Sequence, residues 1–382
     1  MNPIKKFILN LFASKHFLGS DSKLMGLLRA DTILQNLIVE RRVPGLAITV
    51  IKEGEVVFRK GFGYADLDTK KFVDPQNSIF RIASVSKPIA ATALAQMVSE
   101  GIIDLDASFY KYVPYYPKKK WDFTIRNLAG HTAGIRGYRG TEYGLNQPYS
   151  IKESIEVFAA DDLLFEPGTG YFYNSYDWVL ISLAMQEASG IPFEQYVHQT
   201  VLKPLGMSNT FTPAPIVKSI GAEFGSENNK EFSTPREQTE EISSFYTKNR
   251  DGFRKAISVN NFYKLAGGGY LSTSSDIAKL GQAYLEKKVS NDSVLGQFLT
   301  SEIINGEPTY YGLGWQVSED IKGRPYFGHI GNGIGGYSNF FVYPNEKMVF
   351  SILVNCTNPN VQDELDEIIQ IFLTENFNDS LS

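Results

Sequence analysis

Apolar positions recur with a helical period over residues 27–40, and Pro44-Gly45 breaks the pattern. Two β-rich apolar runs follow at 46–51 and 55–64, with Lys52-Glu53-Gly54 between them, which predicts a hairpin. Residues 89–99 are rich in Ala, Leu and Met and are followed by Gly101, predicting a helix with a glycine stop. From about 104 to 250 the chain reads as helix and loop. The clearest helices there are 151–160 and 178–188, and the polar stretch 213–252 reads as an extended surface excursion. Strand patterns return at 313–317, 325–329, 337–343 and 348–354, with a turn at Pro344-Asn345. A helix over 361–373 follows. Strands near both chain ends therefore bracket a helical middle. The fold class is α/β (α+β): a central antiparallel sheet built from both ends, flanked by helices, with a mostly helical region inserted. The expected organisation is a tail over 1–24 and a single domain over 25–376, with 104–250 as the insertion.

Charge and composition narrow the function classes. The 382 residues carry 37 basic and 42 acidic side chains, a net charge of −5. The longest basic run is Lys118-Lys119-Lys120, so the electrostatic footprint of a nucleic-acid partner is missing. Cys356 is the one cysteine, which excludes an internal disulfide; its apolar run, 348–356, predicts a buried strand residue. His16, His131, His198 and His329 show no ligand spacing, so neither a metal site nor a cofactor is expected. No apolar stretch reaches the ~18–20 residues of a membrane span. Lys5-Lys6 before the apolar run 7–12 fits an export signal, an amphipathic surface helix or a frayed tail. An extracytoplasmic (periplasmic) location is preferred over a cytoplasmic one, and the oligomeric state is open.

Serine needs a base to become a nucleophile. Ser-x-x-Lys places an amine one helical turn from a hydroxyl. A chain of this length shows about one or two such strings by chance. This one shows three: Ser20/Lys23, Ser84/Lys87 and Ser108/Lys111. Only Ser84 opens a strong helix. Pro88 lacks an N–H and is tolerated only in a first turn, so the helix starts a few residues earlier. Ser84 then sits at or next to the N-cap, where free N–H groups can hold an oxyanion. A plain capping serine is the competing reading.

The segment Phe80-Arg81-Ile82-Ala83-Ser84-Val85-Ser86-Lys87 resembles the nucleophile segment of class C β-lactamases, DD-peptidases and their esterase relatives. Similar strings follow in the family's order. They are Thr124 to Ile135 with its His131-Thr132, Pro167-Gly168-Thr169 with Tyr173-Asn174-Ser175, Ala266-Gly267-Gly268-Gly269, Tyr311-Gly312-Leu313-Gly314-Trp315 and His329-Ile330-Gly331. In detail they look closest to the mitochondrial serine β-lactamase-like proteins and their bacterial relatives. The resemblance spans roughly 25–375 and implies a β-lactamase/DD-peptidase-like fold. It implies that Tyr173 and Lys87 take the Ser84 proton, which asks for a lowered phenol pKa. It also implies that His329-Ile330-Gly331 lies on an edge strand, with Gly331 admitting a substrate backbone. The N–H groups of Ser84 and Asn332 would form the oxyanion hole. His131 would shape its loop, and Asn174 would point away from the substrate.

Two positions depart from the family. Ser175 stands where many members have an Asn that contacts the substrate amide, and His329 stands where most β-lactamases have a permanently charged Lys. The expected activity is therefore a serine hydrolase acting through acyl-Ser84 on peptide, D-amino-acid amide, lactam or ester bonds. Peptidase or esterase action is favoured over efficient β-lactamase action, on a small-molecule or peptide substrate. The alternative is a non-catalytic use of the same fold for binding or for filament assembly, as the mitochondrial group implies.

Overall fold

A computed structural model of the chain describes residues 24–213 and 240–374. The tail before residue 24 and most of the expected excursion at 213–252 lie outside the described residues. The chain divides into two compact units: one comprises Met1–Leu34 with Gln362–Ser382, the other Gln35–Val361. In the first, the end helix Gln362–Thr374 buries Leu365, Ile368, Ile369 and Phe372 at helical spacing, and Glu367 pairs with Arg29.

The larger unit is organised by a seven-stranded antiparallel sheet. Its strands are β1 (Gly45–Lys52), β2 (Glu55–Asp66), β3 (Lys71–Phe72), β4 (Gln316–Glu319), β5 (Pro325–Gly333), β6 (Gly336–Tyr343) and β7 (Met348–Val354). They lie in the order β4-β5-β6-β7-β1-β2-β3. The two ends of the chain meet where β1 pairs with β7, Leu46 opposite Val354 and Lys52 opposite Met348. Every residue of β6 and β7 is buried, which explains why they read as unbroken apolar runs and not as alternation. The β1–β2 hairpin turns on Glu53 and Gly54, both at positive φ (51° and 90°), the geometry of a tight two-residue turn.

Three long helices of this unit matter for the site: α1 (Ser86–Ser99), α2 (Tyr176–Ser189) and α3 (Ser274–Leu285). In α1, Ser86 to Ala95 and Met97 are buried, so the helix is enclosed all round, as its Ala-rich sequence permits. α2 ends at Gly190, which takes the left-handed φ of 69° that glycine accepts without strain.

Three expectations need correction. The string 313–317 is a strand only from Gln316: Gly312 N–H bonds Trp315 O at 2.8 Å, and Gly314 at φ 85° turns tightly against Trp178 and Ala91. The helix expected over 151–160 is α-helical only at Ile151–Ser154, followed by a 3-10 turn at Ile155–Val157. Arg136 takes Val157 O and Lys119 takes Ala159 O, so these carbonyls bond side chains. Finally, Tyr246–Asn249 and Gly252–Lys255 form a hairpin that pairs in parallel with Cys356–Thr357. Its strands are too short and too polar to show alternation in the sequence. Cys356 is buried there.

Helix α3 lies on the sheet through Gly281. A Cβ at this position would sit 2.5 Å from Val349 Cγ1, 2.9 Å from Phe340 Cε2 and 3.1 Å from Val342 Cγ2. Alanine normally favours a helix over glycine by ~1 kcal/mol. Here overpacking should outweigh that gain, and Gly281→Ala should destabilise the protein by about 1–3 kcal/mol. Urea unfolding measures the change; unchanged or raised stability would contradict this packing.

Candidate active site

The nucleophile turn is locally strained. Ala83–Val85 forms a 3-10 turn leading into α1, and Ala83 adopts φ 44°, a left-handed value that costs energy outside glycine. Ser84 does not serve as a capping side chain, since no side chain caps α1 and its N-cap position is Val85. The Ser84 hydroxyl instead meets two partners: Tyr173 Oη donates to Oγ at 2.8 Å, and Lys87 Nζ lies 3.2 Å away. Lys87 also bonds Tyr173 Oη and Gly267 O, each at 2.8 Å. The second serine of the string, Ser86, accepts Tyr270 N–H at 3.1 Å and so ties Gly267 to Gly269 beneath the turn.

Tyr173 is held from behind. The ring of His131 lies 4.6 Å from the Tyr173 ring, and His131 O accepts Phe172 N–H at 2.9 Å. His131 Nδ1 meets Asp177 Oδ2 at 2.7 Å, and both side chains are buried. Burial, the larger cause for each, pushes the His131 pKa well down and the Asp177 pKa well up, toward their neutral forms. Asn174 faces away from Ser84 and bonds Ile135 O and Asp177 Oδ2 through its amide nitrogen.

The opposite wall is β5. It is second from the sheet edge along its first half, where β4 pairs with Pro325 to Gly328, and free on that side only beyond His329. Ile330 N–H points away from β6 to Gln316 Oε1 at 3.1 Å. Strand alternation turns the Asn332 backbone the same way, where Tyr143 Oη reaches Asn332 O at 3.4 Å. Gly331 packs against the protein's own nucleophile turn. A Cβ there would lie 2.2 Å from Ser338 Oγ, 2.3 Å from Ile82 O and 3.1 Å from Ser84 N. Ser84, Ser175, Asn332, Gly267 and Lys264 line one pocket.

His329 is not at the pocket surface. It is 1% exposed; Nδ1 meets Ile330 O at 2.7 Å and Nε2 meets Tyr311 Oη at 3.0 Å. Nδ1 is therefore the donor and Nε2 the acceptor. Burial, with the nearby Lys87 charge, pushes the His329 pKa down to about 3, so the ring is neutral. The lowered phenol pKa expected for Tyr173 is also corrected. Burial pushes it up, whereas burial brings the Lys87 ammonium down to about 7 against an opposing pull from Asp177. Tyr311 and Lys264 were not legible as site residues. Tyr311 lies within a recognisable string, but nothing in that string ties it to His329. Lys264 is one lysine among many, three residues before Gly267. Among the described residues no cluster of acidic, His or Cys side chains is arranged to hold a metal ion.

The Beta-lactamase family matches residues 30–373. The chain belongs to the β-lactamase family. It is 25% identical to the mitochondrial serine β-lactamase-like protein LACTB of mouse, over 82% of this chain and 72% of that one. Its fold matches the D-amino acid amidase of Ochrobactrum anthropi, with a TM-score of 0.75, 19% identity and coverage of 91% and 98% of the two chains. It also matches EstCE1, a hydrolase with promiscuous acyltransferase activity, with a TM-score of 0.73, 18% identity and coverage of 92% and 99%. At these identities the two structures establish a shared fold alone. The family is one of serine hydrolases. Tyr311→Phe would leave His329 Nε2 buried without a donor and should cost about 1–3 kcal/mol. Chemical denaturation reads this; an unchanged midpoint would mean that the hydrogen bond contributes nothing.

Proposed function

We propose that this chain is a serine hydrolase that works through a covalent acyl-Ser84 intermediate. The supporting observation is the closed contact among Ser84 Oγ, Lys87 Nζ and Tyr173 Oη, at 3.2, 2.8 and 2.8 Å. Neutral Lys87 takes the Ser84 proton as Oγ bonds to the substrate's carbonyl carbon. The N–H groups of Ser84 and Asn332 receive the oxyanion in a site that needs little reorganisation. The bond to the leaving group then breaks. Tyr173, bonded to both Lys87 and Ser84, relays the proton to the departing atom. Water repeats the sequence to release the acid and restore Ser84. Tyr173 in this scheme is a relay that stays protonated, and Lys87 is the base.

The neutral, buried His329 offers no cation to a carboxylate on the leaving side. This favours esters, peptides and D-amino-acid amides over penicillins. The folds shared with an amidase and an acyl-transferring hydrolase support the same range. Replacement of Ser84 by Ala should abolish covalent labelling by a fluorophosphonate while leaving the fold intact; undiminished labelling would sink the assignment. The pH profile supplies a second test. Lys87 must be neutral to act, so acylation should fall about tenfold per pH unit below the Lys87 pKa of about 7 and level off above it. Pre-steady-state release of nitrophenolate from a neutral ester measures it. A rate independent of pH between about 5 and 8 would exclude Lys87 as the base.

A further inference from the structure

We infer that Lys264 is the specificity-determining cation of the acyl pocket, selecting substrates whose acyl part carries a carboxylate. This rests on the acyl-Ser84 reading. Lys264 lies at the end of the short turn Phe262–Lys264 and is only 7% exposed, yet it lines the pocket together with Ser84. An ammonium has three donors. Nζ has one long hydrogen bond, to Tyr143 O at 3.3 Å, and otherwise faces the rings of Tyr138 and Tyr263 at 5.2 and 5.5 Å. Among the described residues no carboxylate pairs with it, and no acidic side chain lines the pocket. A buried charge without a counter-ion is costly, and a bound anion removes that cost. Burial and the Arg81 charge bring the Lys264 ammonium down to about 8, a shift that a bound carboxylate would oppose. Arg81 is already engaged, with Ile334 O at 2.7 Å and the face of Phe245 at 4.2 Å, and does not line the pocket.

Geometry also says which half of the substrate is involved. The leaving group must receive its proton from Tyr173, so it departs on the Tyr173 side. Tyr173 and His329 do not line this pocket, whereas Ser84, Ser175, Lys264 and Asn332 to Ile334 do. It therefore holds the acyl part. His329, neutral and covered by Tyr311, supplies no competing cation.

The test compares 4-nitrophenyl hydrogen adipate, whose acyl chain ends in a carboxylate, with its methyl ester. The readout is the ratio of their kcat/KM values in the full-length protein and in the Lys264→Met, Lys264→Arg and Ser84→Ala variants. A charged hydrogen bond should make the native protein prefer the acid by about 10- to 100-fold. Lys264→Met should bring the ratio close to one, and Lys264→Arg should keep most of it. A ratio near one in the native protein overturns the proposal. So does an equal proportional fall in both activities in Lys264→Met that leaves the ratio unchanged, which would mark a merely structural lysine. Undiminished turnover of both esters by Ser84→Ala, or no turnover of either ester by the native protein, would bring down the acyl-Ser84 reading itself, and with it this proposal.

Discussion

The amine of Lys87 is wholly buried, and the arrangement of the site follows from that. An ammonium in the interior loses its hydration and gives up its proton more readily than in water. Gly267 O, Tyr173 Oη and Ser84 Oγ are the contacts it keeps. Each belongs to a different stretch of the chain, and each stretch is fixed by other means. The enclosed helix α1 carries Lys87, Ser86 anchors the glycine turn through Tyr270, and the His131–Asp177 pair supports Tyr173 from the rear. The strain stored at Ala83 is held by these attachments and by the packing of Gly331 against Ile82.

Two electrostatic regions result. Around Lys87 the groups are pushed toward neutrality: His329 downward, Tyr173 and Asp177 upward. Proton transfer there needs no separation of stable charges in the resting site. In the pocket that Ser84 also lines, Lys264 keeps a buried positive charge beside tyrosine rings. One region suits proton relay, the other suits binding.

Features that act locally were legible in the sequence. Pro88 marks the first turn of α1 and so selects Ser84 from three Ser-x-x-Lys strings. Pro44-Gly45 and Glu53-Gly54 bound β1, and the apolar run from Met348 to Val354 matches β7 to the residue. Long-range pairing left fainter traces. The hairpin at Tyr246–Lys255 is too short and polar to show a period, and its pairing with Cys356–Thr357, more than a hundred residues away, leaves no local trace. The glycine of His329-Ile330-Gly331 is visible, but its purpose depends on Ile82, which only folding brings near. Whether His329 faces the substrate depends on Tyr311, and the significance of Lys264 depends on a pocket built from five separate stretches.

Burial holds Lys87 near neutrality beside Ser84. Titration of the protein labelled with [13Cε]lysine, with the Lys87 signal assigned by its loss in Lys87→Arg, tests this directly by NMR. A midpoint near 7 is expected for that signal. A midpoint in the ordinary lysine range, at about 10, would contradict it.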